Sequence, residues 1–101
     1  MFYVYMLYSK KLNNFYLGYS ANLKDRLKIH ISGKNKSTKK ANDWILAYYE
    51  AYLTEKTARK REASLKRSGK AYVSLKQRIR TSLDNLGEGK AVDRSPGKRR
   101  P

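Results

Sequence analysis

The chain has 101 residues, 40% hydrophobic and 32% charged, which is enough for one domain around a single core and too little for two. Lys and Arg number 24 against 8 Asp and Glu, a net charge of +16, so the partner is expected to be a polyanion, with nucleic acid fitting best. A membrane is disfavoured because no apolar run approaches the roughly 20 residues of a spanning helix. Zero Cys excludes disulfides and thiolate zinc sites, and one His is too few for a histidine cage, so any metal would be held by carboxylate and water. The opening Met1-Phe2-Tyr3-Val4-Tyr5-Met6-Leu7 is too short for a signal peptide and has no basic leader, and the chain is expected to be soluble and cytoplasmic.

Residues 2–8 are continuously apolar and aromatic, which predicts a strand buried on both faces. Lys10-Lys11-Leu12-Asn13-Asn14 carries turn chemistry, and Phe15-Tyr16-Leu17-Gly18-Tyr19 predicts a second strand that completes a β-hairpin. Asn22 is a good N-cap with Asp25 three positions on, and Leu23, Leu27 and His30 or Ile31 follow at helical spacing, so a helix is expected at about 22–32, ended by Ser32-Gly33.

The stretch from Lys34 to Lys40 has no apolar periodicity and reads as a basic loop able to follow a phosphate backbone. Asp43 to Tyr52 predicts a third strand, again apolar on both faces. Thr54 caps a predicted helix at about 55–67, in which Ala58, Glu62 and Leu65 share a face, and Gly69 is expected to stop it. Tyr72, Leu75, Ile79 and Leu83 predict a short third helix at about 71–82. The folded domain is thus expected to span 1–83, with residues 84–101 a disordered basic tail. Residues 1–82 hold 19 of the basic and 5 of the acidic side chains, so the charge belongs to the fold.

The expected order is β-β-α-β-α-α, an α/β (α+β) fold with a small three-stranded antiparallel sheet flanked by helices. In that order, Tyr3-Val4-Tyr5 resembles the first motif and Tyr16-Leu17-Gly18 the second motif of GIY-YIG nucleases, with ten residues between Tyr5 and Tyr16. Asn22 to Leu27 resembles the family's helix segment with its catalytic Arg. The stretches Tyr48-Tyr49-Glu50-Ala51 and Ala58 to Lys66 look like the later strand and metal-binding helix of small stand-alone members similar to an excision-repair incision subunit. The likeness covers about residues 2–75. It departs from the pattern in Tyr3, where the family name has Gly, and in Tyr19, where many members carry Lys or another polar residue.

The resemblance implies a metal-dependent endonuclease that hydrolyses phosphodiester bonds in DNA, structure-specific or repair-related. Arg26 would stabilise the pentavalent phosphate, Glu62 would hold Mg²⁺ (or Mn²⁺), and Tyr5 would help activate water, with Tyr16 and His30 nearby. Each role has a physical basis. A guanidinium gives bidentate donation to phosphate and keeps its proton, and Mg²⁺ needs little more than one carboxylate because it keeps waters and takes substrate phosphate oxygens. An unperturbed phenol, of pKa about 10, is a poor base at neutral pH, so Tyr5 either has a cationic pocket or only positions the water. Lys24, Lys34, Lys36, Lys39 and Lys40 are the expected nucleic-acid contacts. The alternative is a non-catalytic nucleic-acid-binding module on the same scaffold, in which Glu62 simply pairs with Lys66 four residues on.

Overall fold

The computed structural model describes residues 1–36 and 38–92, and its elements in chain order are β1 (Phe2–Ser9), β2 (Asn14–Ser20), α1 (Leu23–Ile31), β3 (Ile45–Tyr52), α2 (Glu55–Arg67) and α3 (Gly69–Val92). The strands form one antiparallel sheet in the order β2-β1-β3, the α+β arrangement expected. The turn between β1 and β2 closes through the Asn13 N–H to the Lys10 carbonyl at 3.2 Å, with Asn13 at φ 49, a left-handed conformation that Asn tolerates better than most residues. That turn sets the register. Tyr5 lies opposite Gly18 and Leu7 opposite Tyr16, so Tyr5, Tyr16 and Gly18 share one face. On the other side of β1, Tyr5 pairs with Tyr49, and the pairing shifts between Met6 and Leu7.

Each face of the sheet has its own core. Val4, Met6, Phe15 and Leu17 pack under α2 and α3 through Ala58, Leu65, Leu75 and Ile79. Tyr5, Leu7 and Trp44 form the second core with Leu23 and Leu27 of α1. The central strand is buried on both faces, as its composition predicts; Val4, Tyr5, Met6 and Leu7 are all 1% exposed or less. β3 is apolar but not buried on both faces. It is an edge strand, with Ile45 and Tyr49 about half exposed.

Local chemistry fixes the helices. Asn22 accepts from the Asp25 N–H at 3.2 Å while its amide donates to the Asp25 carboxylate at 2.9 Å, a reciprocal cap that starts α1 at Leu23. Gly33, at φ 79, turns the chain out of α1 as a C-terminal glycine does. Thr54 caps α2 as expected, but Gly69 does not stop it. Ser68 breaks the helix in an extended conformation, and its hydroxyl accepts from the Ala71 N–H at 3.2 Å, so α3 begins at once and runs past the expected 71–82 to Val92. The tail expected to be disordered over 84–101 is instead helical as far as Val92, and its residues 93–101 lie outside the described residues. Among the described residues no helix is long and apolar enough to cross a membrane.

Candidate active site

On the α1 face, three of the residues singled out in the sequence meet directly. Tyr5 and His30 are joined by a 2.8 Å hydrogen bond between the hydroxyl and Nε2, its direction set by the imidazole tautomer, and both are essentially inaccessible to solvent. The Tyr16 ring lies 4.7 Å from the His30 ring and 6.3 Å from that of Tyr5. His30 belongs there because Leu23, Leu27 and His30 occupy one face of α1, and Arg26, half-buried, stands between them one turn before His30. Gly18 makes the arrangement possible, because a Cβ at that position would come within 2.6 Å of the Tyr5 hydroxyl. The Tyr5 ring therefore lies over the backbone of β2.

Arg26 and Glu62, from different helices, both act on the Tyr5 hydroxyl. Burial pushes the phenol up to about 12, helped by Tyr16 and Glu62, while the Arg26 guanidinium pulls it down through its charge and a hydrogen bond. Burial wins, and Tyr5 is a protonated phenol at neutral pH. His30 moves the other way: burial first, then the nearby Arg26 charge, hold its pKa below 6.5, so the imidazole is neutral at pH 7.

Glu62 comes from α2, whose Ala58 and Leu65 are buried in the opposite core. Arg61 points to β3, where it grips Glu50 through Nε and Nη2 at 2.9 Å each, and Arg59 lies over the Tyr19 ring of β2 at 4.7 Å. On the helix wheel Glu62 falls on the Arg59 side, toward β2 and the strand over which Tyr5 leans. Its carboxylate is 21% exposed and pairs with Lys66 at 3.2 Å. That pairing costs little to break, since exposed i,i+4 pairs contribute only about 0.3–0.5 kcal/mol.

The donor set suits a hard cation. Glu62 supplies carboxylate oxygens, one protein ligand of the kind Mg²⁺ takes, and among the described residues there is no group of three or more His, Cys, Asp or Glu that could hold a metal, at Glu62 or away from it. His30 is unsuited as a ligand because both ring nitrogens are engaged, Nε2 by Tyr5 and Nδ1 by the Thr38 hydroxyl at 2.9 Å. Thr38 is the residue that sequence reasoning missed. It sits fully buried within the basic stretch, its carbonyl accepts from Trp44 Nε1 at 2.7 Å, and it fastens the loop to the site. Its polar surroundings in the sequence give no sign of this. Lys34, Lys36, Lys39 and Lys40 are exposed around Thr38, and Lys24 is exposed on α1. Asp43, in the run read as strand, instead anchors the β1–β2 turn by accepting from the Ser9 hydroxyl at 2.6 Å and the Lys11 N–H at 2.9 Å.

The GIY-YIG catalytic domain model matches residues 1–76, and the chain belongs to that family, whose members are generally endonucleases. Among solved structures it is similar to a UPF0213 protein from Bacillus halodurans, determined by solution NMR, at 32% identity over 75% of this chain and 86% of that one, with a TM-score of 0.45. No curated protein matches it. Family membership implies a nuclease-type fold and a nucleic-acid substrate, and GIY-YIG nucleases typically use divalent metal ions.

Proposed function

We propose that the chain is a Mg²⁺-dependent endonuclease that cuts DNA, with Arg26 stabilising the phosphate in the transition state, Glu62 holding the metal, and Tyr5 and His30 moving the proton. The observation that carries this is the buried hydrogen bond between Tyr5 and His30 at 2.8 Å, with the Tyr16 ring against His30 and Arg26 one turn earlier on the same helix. With the His30 hydrogen on Nδ1, facing the Thr38 hydroxyl, Nε2 is the acceptor for the Tyr5 proton. With that tautomer, Tyr5 can take a proton from the attacking water as it gives its own to His30, one proton in and one out. This removes the difficulty of a phenol with a pKa of about 12 acting as a base, because no free phenolate forms. The bound divalent ion would supply charge neutralisation at the phosphate oxygens. The exposed lysines from Lys34 to Lys40, with Lys24, hold the DNA backbone.

The test is cleavage of labelled duplex, branched and single-stranded DNA, and of RNA, with Mg²⁺ or chelator. Glu62→Gln and Arg26→Ala are expected to lose about 10²–10³ in rate while still shifting DNA in gels. If both variants cut as fast as the parent, the assignment is wrong. The second reading, a binding module without chemistry, draws on the Glu62–Lys66 pair at 3.2 Å and on the elevated Tyr5; it predicts salt-sensitive binding with no product in any metal.

A further inference from the structure

Beside the cluster, on the same sheet face, lies an open groove of about 420 Å³ that the proposed chemistry does not use. Its floor is Tyr3 and Tyr49, in edge-to-face contact at 5.8 Å between centroids, and its wall is Leu23 and Leu27 of α1, with Lys24 at the rim. Tyr3 precedes Tyr5 by two residues on β1, and Tyr49 is the cross-strand neighbour of Tyr5 on β3, a spacing of about 4.7–4.9 Å, so the groove adjoins the buried phenol. Tyr49 is 53% exposed and Tyr3 half-buried, and both rings line the groove.

We propose that this groove is a subsite for one unpaired nucleobase of the nucleic-acid substrate, stacked on Tyr49 with its flanking phosphate at Lys24. The inference deepens the nuclease reading and rests on it for the choice of nucleic acid as the occupant. Three features select that occupant. A second copy of a chain carrying +16 is repelled, whereas a polyanion is drawn in. Aromatic rings beside a cation are what stacking on a base requires, and a rigid tyrosine pair loses little entropy on binding. Within a duplex, bases offer only their edges, so a base face can meet Tyr49 only after that base has left the stack. The preferred substrate therefore carries a bulge, flap or extruded nucleotide next to the bond that is cut.

The experiment measures binding by fluorescence anisotropy, in chelator, of three DNA duplexes of equal length: one fully paired, one with a single bulged adenine, and one with an abasic bulge. The wild type is expected to bind the adenine bulge about tenfold more tightly than the abasic bulge, in the range that single base-stacking contacts give. Tyr49→Ala should erase that difference and leave the abasic and fully paired affinities unchanged, while Tyr49→Trp retains it; thermal melts check that each variant is folded. Equal wild-type affinity for the adenine and abasic bulges overturns the subsite, as does a Tyr49→Ala loss spread evenly over all three duplexes. Sedimentation showing that Tyr49→Ala splits a dimer would overturn it too, by assigning the groove to a second copy. Cleavage of the same duplexes in Mg²⁺ separates the two ideas. Selective binding without product keeps the subsite and removes the nuclease, and product without base selectivity does the reverse.

Discussion

Gly18→Ala probes the tightest contact in the site. A Cβ there would sit 2.6 Å from both Cζ and the hydroxyl oxygen of Tyr5 and 3.0 Å from Cε2 of Tyr16. Unstrained carbon contacts lie at about 3.5–4.0 Å, so the end of the Tyr5 ring must retreat by about 1 Å. That ring has nowhere easy to go, being 1% exposed and tied to His30 at 2.8 Å. Overpacking of this kind costs about 1–3 kcal/mol, and exchanging Gly for Ala within a strand returns about 0.5–1 kcal/mol. Taking the middle of each range, the net loss is about 1 kcal/mol, and in a domain of this size each kcal/mol lowers Tm by about 4–8 °C. The same displacement should slow cleavage about 100-fold, since a reacting group moved by 1 Å loses that order of rate. Urea titration reads the stability and single-turnover cleavage reads the rate. A Gly18→Ala protein as stable as the parent would refute the packing argument, and one that is destabilised yet cuts at the parental rate would refute the role given to Tyr5.

Other perturbations separate the parts. Thr38→Val keeps the shape but strands His30 Nδ1 in a buried place, and should cost about 1–3 kcal/mol in urea titration and reduce cleavage; parental behaviour would deny the link between loop and site. Because the folded pKa of His30 lies below 6.5, its neutral form contributes stability that is complete above pH 6.5 and is lost as pH falls from there, so Tm should decline on acidification through this range and His30→Gln should flatten the decline. Glu50 acts in a lower window. Burial pushes its carboxyl up, but hydrogen bonds from Arg61, Tyr48 and Tyr52 outweigh that and bring it down to about 2, so its contribution is present above pH 4.5 and is lost as pH drops toward 2. Arg61→Ala, which leaves a Glu50 carboxylate only 15% exposed without its cation, should cost about 1–3 kcal/mol, less than a fully buried pair would.

Much of the fold was readable because each element announces itself locally. The apolar run of β1, the Asn22–Asp25 cap and the Ala58/Leu65 spacing are short-range signals, and the three-stranded sheet with its helices follows from them. The end of α2 was misread at Gly69 because Ser68, an ordinary polar residue, both breaks one helix and caps the next, and only tertiary packing distinguishes that from a solvated turn. Tyr5 and Tyr16 were identifiable as a pair, but their common face depends on a register that the Asn13 turn decides. Thr38 was invisible for a different reason: its value lies in a contact to His30 across a loop, and neither hydropathy nor spacing encodes such a contact. The rise of Tyr5 to about 12 is likewise a property of burial, which a count of neighbouring cations in the sequence cannot foretell.

The claim on which the rest depends is that the Glu62 carboxylate serves a metal beside Tyr5 and Arg26. Trace Mn²⁺ added to isotope-labelled protein with a short DNA oligonucleotide tests it directly, because the ion broadens NMR signals only near where it binds. The expected result is selective loss of the signals of Glu62, Gly18 and Arg26, abolished by Glu62→Gln while the fold is unchanged. Broadening centred instead on Asp43 or Glu50, or a Glu62 pattern that survives Glu62→Gln, would contradict it.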